Sequence, residues 1–288
     1  MVGDPRPIHA ALLAWYAAHG RDLAIRHLTD PYAIWLAETM SQQTQIGRVG
    51  EALPAFLARF PDVTSLASGV TDELLRAWGG LGYPRRALAL RAAAREIVAA
   101  HHGRIPADVA RLEGLPGVGP YTARAVAATA YGVPVTALDV NARRVLGRVL
   151  GTPVTGQAFQ VTADALAPAD HAADWNHALM DLGATVCRRE PDCAACPLRT
   201  RCAWAAGDRP AALASTTSPR QAPFRDTNRY VRGRVLASLR EAPPKAWQAI
   251  DPVALSIAPQ RVERALLQLQ NEGLIEVDTA GNVRLPIT

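Results

Sequence analysis

Residues 112–123 read LEGLPGVGPYTA, a short glycine-rich connection between two helical segments. Gly117 and Gly119 allow a tight backbone with positive φ, which side chains resist. Pro120 suits the first turn of the helix that follows, where its missing N–H costs nothing. The unpaired N–H groups around Gly117, Val118 and Gly119 can hold a phosphate without reading a base. Taken alone, the stretch also fits an ordinary turn between two antiparallel helices.

Working outward, apolar residues recur at helical spacing over 7–19, with Gly20 as a stop. Further helices are predicted over 32–48, 51–59, 72–78, 85–101, 107–113, 120–131, 141–150, 158–165 and 174–186. Strand-like runs are nearly absent until the end, so the expected class is mainly α. Residues 205–226 are small, polar and proline-bearing, which suits a linker. Beyond it, helices are expected over 228–240 and 259–272, the second closed by Gly273. Residues 274–286, LIEVDTAGNVRLP, alternate around a Thr-Ala-Gly-Asn turn. Helices followed by a small hairpin make a winged-helix plan for 227–288, and such modules bind protein partners as well as DNA.

At 288 residues, 49% hydrophobic and 20% charged, the chain is long enough for one large core or two domains. It contains no run of eighteen apolar residues, and its first ten, MVGDPRPIHA, lack an apolar signal core. A cytoplasmic protein that meets no membrane is the expectation. A net charge of +5 is compatible with a polyanion partner. Of 31 basic residues only Lys245 is a lysine. Arginine does not deprotonate, so Schiff-base chemistry has one candidate, close to the C-terminus.

The four cysteines, Cys187, Cys193, Cys196 and Cys202, follow a C-x6-C-x2-C-x5-C spacing. A secreted scaffold would spread its cysteines along a short chain, and a zinc ribbon would show two C-x2-C knuckles. Only Cys193 and Cys196 form one. Four thiolates in a wrapping loop can hold a cubane iron–sulfur cluster, with structural zinc as the alternative. Arg188, Arg189 and Arg199 lie within or beside the loop and offer guanidinium groups to phosphates.

Five stretches and the cysteine loop form a known pattern in one order: PYAIWLAETMSQQTQ (31–45), GLGYPRRA (80–87), LPGVGPYTARAVA (115–127), LDVNARRV (138–145), NHALMDLGATVC (176–187) and the loop itself. The chain resembles the adenine DNA glycosylases that act on A/G mismatches, the MutY family of the helix-hairpin-helix superfamily, over roughly residues 10–204. The resemblance implies two helical lobes with double-stranded DNA between them, about 31–135 and 1–30 with 136–204. It implies a [4Fe-4S] cluster on the four cysteines, a monovalent cation at the hairpin 115–120, and a monomer. The C-terminal region looks like that of actinobacterial members rather than the nucleotide-hydrolase-like domain that inspects 8-oxoguanine in other relatives.

Breaking an N-glycosidic bond needs a protonated leaving base and a supported sugar cation, and two carboxylates can supply both. Glu38 lies in an apolar helix that should raise its pKa; by resemblance it protonates the purine at N7. Asp139 precedes a helix and reads as an N-cap; by resemblance it stabilises the cationic sugar, and a cap would fix its carboxylate. Asn141 matches the asparagine that orients groups around the attacking water. Tyr121 stands where bifunctional relatives of the endonuclease III type carry a lysine nucleophile, which implies hydrolysis without strand cutting. Gln43 and Tyr83, with Gln42 and Thr44 beside them, match the wedge that fills the gap left by a flipped base. Leu23, Arg26 and Ile46 match the walls of the base pocket.

Departures bear on the choice of base. Ile25 stands where the family carries a tryptophan, and His177 where relatives carry Glu, Gln or an apolar residue; Ser41 replaces a common leucine. The expected activity is monofunctional removal of adenine opposite 8-oxoguanine or guanine in base excision repair. A different target base on the same scaffold, or a non-catalytic DNA-binding paralogue, are the alternatives.

Overall fold

The computed structural model describes residues 4–152, 155–207 and 223–288. Most of the expected linker, 205–226, lies outside the described residues. Helix α1 (Arg6–His19) is followed by a 3-10 turn at Ala24–His27 and by α2 (Pro31–Ser41). Then come α3 (Ile46–Arg59), α4 (Val63–Ser68), α5 (Thr71–Trp78) and α6 (Arg85–His101). The glycine-rich hairpin joins α7 (Val109–Gly114) to α8 (Pro120–Tyr131), and α9 (Val140–Leu150), α10 (Gly156–Ala165) and α11 (Ala172–Thr185) lead to the cysteines. The C-terminal region holds α12 (Asn228–Glu241), α13 (Pro252–Leu255), α14 (Pro259–Asn271), β1 (Glu276–Val277) and β2 (Val283–Arg284).

One expected helix is broken. Residues 32–48 do not run through: α2 ends at Ser41, and α3 begins at Ile46 and takes in 51–59. Gln43 has φ 55°, which a right-handed helix cannot contain. The carbonyls of Thr39, Met40 and Gln42 instead accept from Arg86 Nη1 at 3.0, 3.1 and 2.5 Å, so the end of α2 is closed by a guanidinium. Helix α4 was not anticipated. It is short, but Asp62 and Ser65 close its start with a reciprocal capping box.

The chain divides into two compact units, Met1–Glu38 with Ile105–Thr217, and Thr39–Arg104 with Ser218–Thr288. This grouping cuts the chain elsewhere than at the lobe limits expected above, because α7 packs on α8 and α8 on α11. In the first unit α1, α9, α10 and α11 bury Leu12, Leu146, Phe159, Trp175 and Leu182, and Cys187 joins the same core. Asn176 on α11 clamps the segment before α9: it accepts from Ala137 N at 2.7 Å and donates to Val135 O at 2.9 Å. Trp175 Nε1 donates to Thr136 Oγ1 at 3.0 Å. A loop that would otherwise be free is therefore fixed where it meets Asp139.

In the second unit Phe56, Phe60 and Trp78 form an aromatic centre, with rings 5.1 and 6.1 Å apart. The C-terminal region belongs to this unit. Val231, Val235 and Leu239 of α12 face Val262, Ala265 and Leu269 of α14 as buried stripes. The small hairpin pairs Glu276 with Arg284 and Val277 with Val283, and Gln248 bridges to Val283. Arg76 on α5 donates to the carbonyls of Arg240 and Ala242 at 2.6 and 2.9 Å, and Thr71 N donates to Thr288 O at 3.2 Å.

Candidate active site

Asp139 is the N-cap of α9. Its Oδ1 accepts from Asn141 N at 2.9 Å and Ala142 N at 2.6 Å, which satisfies two helix-start donors and fixes the carboxylate. Asn141 Nδ2 donates to the other oxygen at 3.0 Å. Asn141 is held in turn: its Oδ1 accepts from Arg144 Nη2 at 2.7 Å. The same guanidinium reaches Gly183 O at 2.6 Å and Cys187 O at 2.7 Å, so α9, α11 and the start of the cysteine loop meet on one side chain. Gly183 makes the approach possible, because a Cβ there would stand 2.6 Å from Asn141 Cβ.

Glu38 sits near the end of α2, among the buried residues Leu36, Ala37 and Thr39. Part of the residue stays accessible, but its carboxyl is enclosed. Burial pushes that carboxyl up to about 7; the Tyr121 hydrogen bond and the Arg26 charge oppose the rise, and the Asp139 carboxylate adds to it. Tyr121 Oη lies 3.5 Å from Glu38 Oε2. Burial, then the Glu38 and Asp139 charges, raise the Tyr121 phenol well above its ordinary value, so it stays a neutral donor. Two carboxylates in contrasting surroundings, one enclosed and one tied to backbone N–H groups, suit an acid and an anionic stabiliser.

A second set of residues lies around Arg26. Its guanidinium grips Asp181 on α11 through two bonds, 2.7 and 2.8 Å, and Arg21 adds a backbone bond of 2.8 Å and a side-chain bond of 2.7 Å. Burial alone would raise the Asp181 carboxyl, but these bonds outweigh it and hold the group below its ordinary value. The pair ties the 3-10 turn to α11. Tyr16, Leu23, Arg26 and His177 line one open pocket. Ile25 is half-buried in the turn but is not among the lining residues. Burial, then the Arg26 charge, lowers the His177 imidazole to about 4, so it is neutral at ordinary pH. Sequence reasoning missed Tyr16, Arg21 and Asp181; a buried aspartate on an apolar helix face was the only available signal.

The expected wedge residues come together in the second unit. Thr44 Oγ1 donates to Leu81 O at 3.1 Å and accepts from Arg86 Nη2 at 3.0 Å, which joins the Gln42–Thr44 turn to the Tyr83 turn. Gln43 at φ 55° and Tyr83 at φ 46° both hold a left-handed backbone that such residues seldom adopt. Ile46, expected in the wall of the base pocket, starts α3 in this unit, whereas Arg26 and His177 belong to the first. In the first unit only one of the two hairpin glycines takes the expected positive φ: Gly119 is extended at φ −93°, because it serves as the N-cap of α8. Gly117 has φ 76°, Val118 N donates to Leu115 O at 3.1 Å, and Gly119 starts α8 without a side-chain cap, which leaves the leading N–H groups to a ligand.

All four cysteines line one small pocket, with Arg148 and Trp204. Arg148 is a buried cation: its Nη1 lies 3.4 Å from Cys187 Sγ, and it donates to Arg188 O at 2.6 Å and Arg189 O at 3.1 Å. Its Nε, also buried, has no partner among the described protein groups. Burial, then the neighbouring thiols, pushes Cys196 up to about 11, so that thiol would ionise only against added positive charge. Among the described residues no three His, Cys, Asp or Glu side chains are grouped to hold a single metal ion. Four thiols lining one pocket, beside a buried cation with a spare donor, fit a sulfur-bridged cluster. Arg188, Arg189 and Arg199 are exposed around it.

Residues 36–168 match the family of HhH-GPD superfamily base excision DNA repair proteins. The chain is 39% identical to the adenine DNA glycosylase of Mycolicibacterium smegmatis, over 95% of this chain and 94% of the relative. It is 41% identical to that of Mycobacterium tuberculosis, over 99% and 96%. Among solved structures, a thermostable thymine-DNA glycosylase superposes with a TM-score of 0.66 at 27% identity, covering 70% of this chain and 96% of that one.

Proposed function

The chain belongs to the adenine DNA glycosylase family of the HhH-GPD superfamily, and from that premise we propose that it excises adenine mispaired with 8-oxoguanine or guanine in double-stranded DNA. The observation that carries this reading is the pair of carboxylates in one unit: Glu38 raised to about 7, Asp139 tied to the start of α9. Glu38 donates a proton to N7 of the flipped base and makes it a neutral leaving group. The bond from C1′ to N9 breaks, and the cationic sugar is stabilised by the Asp139 carboxylate. Water, oriented by Asn141, adds to C1′ and passes its proton to the Glu38 carboxylate that the first step left. Tyr121 supplies no amine, so the strand stays intact. Leu23, Arg26 and His177, which line one open pocket, enclose the base. Gln42, Gln43, Thr44 and Tyr83 fill the gap in the stack. Gly117, Val118 and Gly119 hold a phosphate, with a monovalent cation at the hairpin 115–120, and Arg188, Arg189 and Arg199 add phosphate contacts.

Cys187, Cys193, Cys196 and Cys202 would hold a [4Fe-4S] cluster, which when bound gives the loop a fixed charged centre. Iron and sulfide analysis tests this, and zinc without sulfide overturns it. Residues 205–226 serve as a linker, and 227–288 as a winged-helix-like region of a monomer working on cytoplasmic, nucleoid DNA.

The deciding experiment incubates the protein with duplexes carrying adenine, thymine, uracil, hydroxymethyluracil, hypoxanthine or 8-oxoguanine in different pairings, then resolves products with and without alkali. Adenine release visible only after alkali is expected. Release of another base alone would replace the reading with one in which Ile25 and His177 select that base. Cutting without alkali would refute hydrolysis as the sole activity.

A further inference from the structure

Tyr83 is not held by the core of its unit alone. The residue is 38% exposed on a left-handed backbone, and its carbonyl accepts from Arg86 N at 2.9 Å. Five side chains alternate through it as aromatic ring and guanidinium: Trp78, Arg86, Tyr83, Arg229 and Phe224. The successive guanidinium-to-ring distances are 5.3, 5.5, 5.7 and 5.1 Å. The ladder begins at a buried tryptophan and ends at Phe224, which is 53% exposed. Arg86 is committed to the carbonyls around Gln42 and Gly82, so one side of the Tyr83 ring meets a fixed cation. Arg229 lies at the hydroxyl end of the ring, its guanidinium carbon 5.7 Å from the ring centre and its Nη1 donating to Tyr83 Oη at 2.6 Å.

Arg229 belongs to the first turn of α12, in the C-terminal region, 146 residues from Tyr83. Its position there is secured twice. Thr227 caps α12, and Arg76 anchors the carbonyls of Arg240 and Ala242 at the other end of the helix. Arg229 itself is exposed and carries no core packing. An exposed arginine on an anchored helix, with its hydrogen bond to an exposed tyrosine, has little to contribute to stability and much to ring direction.

We propose that Arg229 is a positioning residue for Tyr83, and that the C-terminal region thereby takes part in opening the duplex. The proposal rests on the reading of Tyr83 as the wedge. A ring that must slide between two bases loses rotational freedom on insertion; holding its hydroxyl end beforehand through Arg229 removes part of that loss from the insertion step and leaves the ring faces to the bases. The same contact places a guanidinium at the edge of the inserted ring, where phosphate lies.

The test compares wild type, R229A, R229K, Y83A and Y83A/R229A in two measurements. One is the fluorescence rise of 2-aminopurine placed beside the mispair, which reports unstacking on binding. The other is single-turnover adenine release. R229A should reduce the fluorescence rise and slow release about five- to tenfold, with the melting curve unchanged. R229K should recover part of both, because an ammonium can still donate to Tyr83 Oη. Y83A/R229A should be no worse than Y83A, because the arginine acts through the ring. Additive effects would overturn the proposal by making Arg229 an independent phosphate contact, and so would an R229A variant that matches wild type while Y83A loses the signal. Should Y83A itself keep the full fluorescence rise, the wedge reading fails first and this proposal with it.

Discussion

Glu38 and Asp139 are both carboxylates, yet their surroundings make them different reagents. Glu38 has a value of about 7 against an ordinary 4.5, so the folded chain prefers it protonated. That preference stabilises the fold fully below about 4.5 and is lost as pH rises through 7. E38Q carries no charge at any pH. It should melt with wild type in acid and above wild type at pH near 8, by roughly 2 kcal/mol; calorimetry at the two pH values checks this, and equal melting at both would remove the enclosed carboxyl. If Glu38 is the acid, single-turnover release should fall about tenfold per pH unit above 7, and E38Q should lose release throughout. D139N keeps a capping oxygen for Asn141 N and Ala142 N, so the fold should survive. Turnover should vanish while duplex binding stays, measured by release and by filter retention on one preparation. Loss of binding would instead make Asp139 a structural cap only.

At the scale of elements, α9 and α11 determine the geometry of the carboxylate. They approach closely because Gly183 has no side chain, and Arg144 ties Asn141 to Gly183 O and Cys187 O across the contact. G183A should place a methyl against Asn141, lower stability by about 1–3 kcal/mol and slow release beyond what the stability loss explains. Thermal melting and single-turnover rates at a temperature where both proteins are folded separate the two effects. The broken helix at 42–45 is a related lesson. Residues 32–59 have helical periodicity almost throughout, and no residue in that run announces the break. Arg86, distant in sequence, makes it by taking three carbonyls at the end of α2. Periodicity reports which face is buried and is silent about where a side chain from elsewhere ends the ladder.

At the scale of the whole molecule, a linker over 205–226 and the grouping of 218–288 with 39–104 make one prediction. A single proteolytic cut within 205–226 should leave two fragments that still elute together on gel filtration. Arg76 holds Arg240 and Ala242, and Arg91 donates to Thr288 O at 3.2 Å as well as to Gly69 O at 3.0 Å. The part-buried bonds among these, from Arg76 to Arg240 O and Ala242 O and from Arg91 to Gly69 O, contribute about 1 kcal/mol each, on top of the apolar contact. Fragments that separate under native conditions would show that the C-terminal region is held only by its covalent tether. R76A, which removes the bonds to α12, should weaken their association.

The sequence by itself determined what is local. The hairpin at 115–120 was legible because turn chemistry lies in adjacent glycines and prolines. The four cysteines declared a shared site because they lie within sixteen residues. Asp139 declared a cap because it directly precedes its helix. Family resemblance extended this to Glu38, Tyr121 and Asn141, and the fold puts all three in one unit with Asp139. Only the tertiary structure decided the partners of the arginines. With all but one of 31 basic residues being arginine, none stands out in the sequence. Yet Arg26 pairs with Asp181 at a separation of 155 residues, Arg148 lies buried against Cys187, and Arg229 reaches Tyr83. A guanidinium has five donors on a long stem and finds acceptors wherever packing delivers them. Its partner is therefore a property of the folded chain, and here those partners fix the turn at Ala24–His27, the start of the cysteine loop and the Tyr83 hydroxyl.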